Sequence, residues 1–296
     1  MEIAQLRYAL AVVDHGTFTA AASACHIAQP SLSHAIRALE RDLGVPLFHR
    51  VGRHTTLTSA GEAFVPAARE VLRSLETLRA DVDAVAGLVA GRLDVVALPT
   101  LAVDPVTPLV GAFRRAHPQV TVRLANPERT TELLRRVRDG ESEIGITELP
   151  AGDERIVARP LVRQELVAVL PPGTARTRGL DLGELARQPL VSQPAGTSLR
   201  DAIDAALASI GHAPTVAVET EQREALVALV LAGAGTAVLP RPMAEVAGRQ
   251  GAVVISLRPR LWREIGIVHR AAPISPAARA FLALAFRPAL PPPEGR

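Results

Sequence analysis

F-T-A-A-A-S-A-C-H-I-A-Q-P-S-L-S-H-A-I-R-A-L-E-R-D-L-G-V-P-L, residues Phe18 to Leu47, holds two short helical patterns separated by a tight turn. Thr19 can cap the first, and Ala20, Ala21 and Ala22 are small enough for another helix to cross closely. The second follows Gln29-Pro30. Leu32, Ile36, Leu39 and Leu43 recur at spacings of four, three and four, which is one apolar face of a helix. The other face presents Ser31, Ser33, His34, Arg37 and Arg41, short donors and guanidinium groups that suit phosphates and base edges in a major groove. The pattern predicts a helix-turn-helix with an exposed recognition helix led by Gln29 and Pro30.

Upstream, residues 3–15 predict a helix with Leu6, Ala9, Leu10 and Val13 facing inward. Downstream, Leu47 to Leu57 alternates apolar and polar residues around Gly52, as a two-stranded wing would. Arg50 and Arg53 sit near its tip. They could be two solvated loop arginines, but the adjacent recognition helix favours phosphate or minor-groove contact. Ser59-x-x-Glu62 reads as a capping box that opens a long helix. Phe64, Val71, Leu78 and Val85 lie seven apart, and so do Ala68, Leu75, Val82 and Val89, offset by four. A lone helix would leave this seam wet. It can pack on the chain's own domain or pair two subunits. Directly after a DNA-binding unit the second is favoured, because dimers read two half-sites about one helical turn apart, or multiples of it.

A-A-A-S-A-C-H-I-A-Q-P-S-L-S-H-A-I-R-A-L-E-R-D-L-G-V-P-L-F-H-R, followed by R-H-T-T-L-T-S-A-G-E, resembles the N-terminal signature of the LysR-type transcriptional regulators over residues 1–62. Further landmarks resemble the effector domain of the same family: G-R-L-D-V-V-A-L-P-T, E-L-V-A-V-L-P-P, D-L-G-E-L-A, G-T-S-L-R and L-V-L-A-G-A-G-T-A-V-L-P. The resemblance implies a long helix that pairs with its counterpart in a second subunit. It also implies two similar α/β subdomains joined by two crossing strands, like a periplasmic binding protein with the ligand between the lobes. Three positions depart from the family's pattern. Cys25 stands where a core leucine is usual and is expected to be a buried, inert thiol. Ala28 stands where Ser or Thr would cap the recognition helix. His34 stands where Arg or Gln is more usual. The family's peroxide-sensing branch needs two effector-domain cysteines, and Cys25 is the sole cysteine of this chain.

The chain has 296 residues, enough for two or three compact units. No apolar run approaches the ~18 residues of a membrane span. The amino terminus, M-E-I-A-Q-L-R-Y, lacks the basic start of a signal peptide, so a cytoplasmic protein is expected. One cysteine excludes an internal disulfide and a cysteine-based metal site. Net charge is only +3, although the isoelectric point is near 10.2. The chain contains no lysine, and arginine loses its proton only at very high pH, so that value overstates basicity. Residues 1–58 carry five Arg against four Asp or Glu, a weakly basic surface for a DNA binder; five of the eight histidines lie there too, where some could add charge near phosphates, although a neutral, solvated side chain is favoured for any one of them.

Beyond Gly87 and Gly91 the pattern changes. Leu93–Leu98, Val120–Leu124, Ile144–Thr147 and Leu166–Leu170 read as strands, with helices over Asp104–His117 and Thr131–Asp139. A second run reads Leu190–Val191 strand, Ser198–Ile210 helix, Val216–Thr220 strand, Glu224–Ala232 helix, Thr236–Leu239 strand. Ile265–His269 is a late strand and Ser275–Arg287 a last helix, before a proline-rich tail expected to fray. Strands alternating with helices imply a parallel α/β sheet. The expected organisation is an N-terminal all-α winged helix-turn-helix (1–58), a linker and dimerisation helix (59–89), and an α/β bilobal effector domain. Its first lobe is 91–161 plus 268–290, and its second is 162–267.

No enzyme motif is present: no H-E-x-x-H, no G-x-S-x-G and no phosphate-binding G-x-x-x-x-G-K-[ST]. Gly233-x-Gly235 lacks the third glycine of a dinucleotide fingerprint and reads as a helix-to-strand turn. Ligand contacts belong at the carboxyl ends of parallel strands and at helix N-termini. Pro99, Thr100 and Leu101 end the first strand, Thr130 and Thr131 open a helix, and Gln193, Pro194, Thr197 and Ser198 lead into the helix of the second lobe. Each hydroxyl alone could be a plain N-cap, but three helix starts on both sides of one inferred cleft suggest a small-molecule site. The resemblance implies the same for Thr100, Thr130, Thr197 and Ser198. Arg200 could assist an anion or pair with Asp204.

The expected function is therefore a sequence-specific transcription regulator and not an enzyme. It would bind an inverted-repeat operator in double-stranded DNA, respond to an anionic or polar effector, and assemble as a homodimer and, by the resemblance, a homotetramer. No cofactor, metal or membrane partner is expected. The alternative is an enzyme or solute-binding protein on the same bilobal fold; the DNA-binding half and the lack of an export signal weigh against it.

Overall fold

The structure is a computed structural model that describes residues 1–51, 54–85, 91–175 and 179–287. Helices α1 (Ile3–His15), α2 (Phe18–Ala24) and α3 (Gln29–Leu43) pack around Leu6, Ala9, Leu10, Ala21, Leu32, Ile36 and Leu39. On α1 it is Val12, not Val13, that is fully buried. Thr17, not Thr19, caps α2: its hydroxyl accepts from the Ala20 N–H at 3.1 Å, while Thr19 lies within the helix. Gly16 ends α1 at φ +72°, a left-handed conformation that glycine adopts freely. The wing follows as β1 (Phe48–Val51) paired antiparallel with β2 (His54–Leu57). Glu40 accepts from the backbone N–H groups of Leu47 and Phe48, tying the wing to α3, and Phe18 meets Phe48 edge to face at 5.9 Å.

Helix α4 (Ser59–Val85) begins where the capping box placed it, but its cap is Thr58. The Thr58 hydroxyl accepts from the Gly61 N–H at 3.0 Å and donates to the Pro46 carbonyl at 2.7 Å, so one side chain both starts the helix and anchors it to the wing. The seam divides along its length. Phe64 and Ala68 pack into the helix-turn-helix core beside Val65 and Leu72. Further on, Val71, Leu78 and Val82 are exposed, Leu78 to 61% and Val82 to 65%, and Leu75 is half-buried. The Val85 side chain and Val89 lie outside the described residues.

The C-terminal half holds β3 (Gly91–Ala97), α5 (Pro99–Leu101), α6 (Thr107–Ala116), β4 (Val120–Ala125), α7 (Thr130–Arg138), β5 (Ile144–Glu148) and the 15-residue β6 (Ile156–Leu170). Next come β7 (Leu180–Asp181), α8 (Leu182–Ala186), β8 (Leu190–Ser192), α9 (Ser198–Ala208), β9 (Val216–Glu219), α10 (Arg223–Leu231), β10 (Ala237–Pro240) and α11 (Arg241–Arg249). The chain closes with the 18-residue β11 (Val253–Arg270) and α12 (Pro276–Ala285). The helix expected over Asp104–His117 is broken. Helical turns start at Pro99, and Asp104 is extended (φ −144°, ψ 122°) because Pro105 disfavours a helical conformation in the residue before it.

The main sheet is mixed, not purely parallel. β3 pairs parallel with β4 and β5, whereas β11 runs antiparallel to β5 and β6, and β10 antiparallel to β6. β6 and β11 are each far longer than expected because they cross from one lobe to the other. One core gathers Leu93, Val95, Phe113, Ile144, Ile146 and Phe281; the other gathers Leu166–Leu170, Leu199, Ile203, Val230 and Leu239. Leu261 packs on the second core, but Ile265 and Ile267 belong to the first. The division of the cores along β11 thus falls between Leu261 and Ile265, a few residues before the expected 267/268. Gly233 and Gly235 do form a helix-to-strand turn, and a Cβ on Gly235 would overlap the Pro189 carbonyl. Among the described residues, no helix is long and apolar enough to cross a membrane and no His, Cys, Asp or Glu cluster could hold a metal ion.

Candidate functional site

On α3, Gln29, Pro30, Ser31, His34, Arg37 and Arg41 are exposed. Ser33 is not: it is 2% exposed, and its hydroxyl accepts from the Gln29 side-chain amide at 2.9 Å. It therefore positions Gln29 from behind instead of facing a groove. Leu43, expected in the apolar face, is exposed at the helix end. Ala28 occupies the N-cap with the extended backbone a cap needs (φ −68°, ψ 139°), although it offers no side-chain acceptor. Pro30 in the first turn lacks an N–H to leave unsatisfied, which lessens that loss. His34, Arg37 and Arg41 border an open concavity with Gly44 and Pro46. Cys25 is half-buried at the end of α2, not fully buried as expected. The Arg50 side chain and the whole of Arg53 lie outside the described residues.

The second site lies where the lobes face each other. Thr100 is 4% exposed at the start of α5, just past the end of β3. Its hydroxyl accepts from Arg263 Nη2 at 3.1 Å. Arg263, on β11, is 2% exposed; its Nε and Nη2 donate to Gln164 Oε1 at 3.1 and 2.8 Å. Gln164, on β6, in turn donates to the Asp104 carbonyl and carboxylate at 2.8 and 2.7 Å. The break before Pro105 thus delivers two acceptors to this network. Burial pushes the Arg263 guanidinium down to about 10, with Glu148 and Asp104 opposing the shift.

Across the gap, Ser198 opens α9, and its hydroxyl donates to Glu148 Oε2 at the end of β5, 3.2 Å away. Burial raises the Glu148 carboxyl above its ordinary range, and Asp201 adds to the rise; Arg263 and the Ser198 hydrogen bond oppose it. Gln193 is buried, and with its side-chain amide turned so that the oxygen faces Arg223 it accepts from Nε and Nη2 at 3.0 and 3.1 Å. Arg223 also pairs with Glu128, which precedes α7. Arg129 approaches Gly196, so the start of α7 faces the loop before α9. Of the expected residues, Thr100 thus joins the buried network at the end of β3, Ser198 contacts Glu148 of β5, and Gln193 contacts Arg223, whereas Thr130 only follows Arg129 at the start of α7. Pro99 is half-buried. Thr197 donates to the Pro194 carbonyl at 2.9 Å. Leu101 is fully buried in the first core and Thr131 is exposed, so neither side chain lines the floor. Arg200 pairs with Asp204 at 2.8 Å and donates to the Gln193 carbonyl, a supporting role.

Sequence reasoning did not single out Arg263, Gln164, Asp104, Glu148, Glu128 or Arg223. Arg263 stands in R-P-R-L-W-R among other arginines, and only the pairing of β11 with β6 tells which one is buried.

Two family models match. The bacterial regulatory helix-turn-helix protein of the lysR family matches residues 3–62, and the LysR substrate binding domain matches residues 86–287. The chain is 31% identical to the HTH-type transcriptional regulator IlvR of Caulobacter vibrioides, covering 96% of this chain and 97% of that protein. A full-length OxyR variant from Pseudomonas aeruginosa superposes with a TM-score of 0.74 at 27% identity, covering 96% of this chain and 93% of that one. Full-length CbnR, solved in complex with its target DNA, superposes at 0.66 with 26% identity, covering 96% and 99%.

Proposed function

This chain belongs to the LysR-type family of transcriptional regulators, and we propose that it reads an inverted-repeat operator through α3. Gln29, Pro30, Ser31, His34 and Arg37 meet base edges and phosphates, with Ser33 holding Gln29 in place. Arg50 and Arg53 in the wing touch the backbone or minor groove. Residues 1–58 form the DNA-binding unit and 59–89 the linker helix. Val71, Leu75, Leu78, Val82 and Val85 join two subunits, whereas Phe64 serves the helix-turn-helix core. Two such dimers make a tetramer. The first lobe takes 91–161 and, with the crossing on β11 placed before Ile265, the C-terminal residues from 265 on; the second lobe takes the residues between. A small polar effector binds between the lobes against Thr100, Thr130, Gln193, Thr197 and Ser198. The chain works in the cytoplasm and is not an enzyme, a reading supported by transcriptional regulators that match it over nearly its whole length.

The observation that carries this reading is the polar face of α3, left free beside a wing while Leu32, Ile36 and Leu39 on the opposite face are buried. A gel-shift of the purified protein against its own upstream intergenic DNA tests it. A specific, salt-dependent shift is expected; equal affinity for that DNA and for random sequence refutes it.

A further inference from the structure

His34, Arg37 and Arg41 follow one another at spacings of three and four, so they stand in one line along α3. All three are exposed and border the same open concavity. Among the described residues, the His34 ring makes no hydrogen bond or ion pair, so both its nitrogens are free. The charges around it are fixed. Arg37 and Arg41 stay cationic at any physiological pH. Glu40 borders the concavity too, but its Oε1 accepts from the Leu47 and Phe48 N–H groups. Asp42, the other carboxylate of α3, pairs with the amino-terminal ammonium. Gly44, Val45 and Pro46, on the far side of the concavity, carry no charge. His15 ends α1, His26 lies in the turn before α3 and His49 is on β1, so none of them shares this line. The His54 side chain lies outside the described residues.

Resting on the reading of α3 as the recognition helix, we propose that His34 enters the operator as an imidazolium, so that each recognition helix takes up a proton when it binds DNA. The duplex offers this line acceptors: phosphate oxygens on the backbone, and N7 and O6 on the guanine edge. A neutral imidazole brings one N–H and one lone pair, whereas the protonated ring brings two N–H groups and a charge. Against a polyanion the charged form is favoured, because every nearby phosphate stabilises it. In the free protein no carboxylate is hydrogen-bonded to the ring. The complex therefore holds more protons than its separated parts, and by linkage operator affinity rises as pH falls and declines as pH rises. The change falls where histidine side chains titrate, between about pH 6 and 8, while the arginines of the same line keep their charge throughout. An arginine in place of His34 would grip DNA at any of these values; the histidine makes the grip follow acidity.

Fluorescence anisotropy of the full-length protein on its own upstream intergenic DNA and on random DNA, at fixed salt from about pH 6 to about pH 8, tests this. We expect affinity for the upstream DNA to fall about tenfold or more across that range. His34→Gln and His34→Arg should both flatten the dependence, and the arginine variant keeps the test decisive should glutamine abolish binding. His15→Gln, His26→Gln, His49→Gln and His54→Gln should each retain the parent's slope. A slope on both DNAs assigns the proton to a phosphate contact, and a slope on the upstream DNA alone assigns it to a guanine edge. The proposal is overturned if the parent binds equally well across the range, or if His34→Arg keeps the parent's slope. Specific binding that is level with pH would leave the reading of α3 intact and remove the proton. Equal affinity for the two DNAs at every pH would overturn both.

Discussion

Glu148 shows how one side chain trades stability for a site. Its carboxyl is raised by burial, so the folded state holds the proton more tightly than the unfolded chain. Between the ordinary value of 4.5 and the raised one, the folded state binds more protons, and stability falls as pH climbs through that window. Above it the loss is complete and constant. Glutamine carries no charge, and its amide oxygen can still accept from Ser198. Glu148→Gln should therefore melt higher than the parent at pH 7 and alike at pH 4, in the absence of ligand; equal melting at both values would show that Glu148 is not strained. Ala28 is a second residue of this kind. Its backbone already has the cap conformation, so Ala28→Ser should add ~0.5–1 kcal/mol to stability, read by chemical denaturation. The missing cap was legible in the sequence. The burial of Arg263 and the strain at Glu148 were not, because both arise from strands that pair far apart along the chain, Arg263 with Gln164 and Ile265 with Glu148.

Elements were legible wherever one periodicity governed them. α1 and α3 follow from spacing, although Val12 takes the fully buried place expected of Val13 and Leu43 lies exposed at the end of its face. Spacing fails where a polar residue sits on an inward face, as Ser33 does, and where one element serves two purposes. β6 and β11 were read as short strands because their apolar runs mark only the ends that enter a core; the polar middle of each crosses between lobes. The α4 seam is continuous in sequence yet divided in use, and this yields separable outcomes. Leu78→Asp should break the dimer, since a charge in an apolar interface costs several kcal/mol, while leaving the subunit's own melting unchanged. Phe64→Ala should instead destabilise the helix-turn-helix core by about 1–2 kcal/mol, less than a fully buried phenylalanine would. Analytical ultracentrifugation with circular dichroism separates the two; a Leu78→Asp protein that stays dimeric removes the seam assignment. Along α3, Gln29→Ala and Arg37→Ala should each weaken specific DNA binding by ~1–3 kcal/mol. Ser33→Ala should cost less, ~0.5–1 kcal/mol, because it only frees Gln29. Quantitative footprinting ranks the three.

At the scale of the whole molecule, regulation requires that the cleft and α3 share one free-energy balance. Away from the crossing strands, Ser198 to Glu148 and Arg223 to Glu128 bridge the lobes. Each bridge joins an element of the second lobe to one of the first, so each biases how far the lobes close. The Arg223–Glu128 pair is partly exposed on its acidic side, and such pairs contribute only ~0–1 kcal/mol to stability. Its removal by Arg223→Ala should hardly move the melting temperature. It should nevertheless populate the open arrangement, and a ligand that needs the closed one then binds more weakly by the fraction of closed molecules lost. Coupling to DNA obeys a stricter rule. If ligand changes operator affinity by some factor, operator must change ligand affinity by the same factor, of the order of ~1–3 kcal/mol. Calorimetry of the ligand with and without operator gives one ratio; operator titration with and without ligand gives the other. The two should agree in the parent protein, and Arg223→Ala should shift both together while preserving their equality. A ligand that binds in the cleft with a ratio of one in both directions would show that the cleft does not speak to α3.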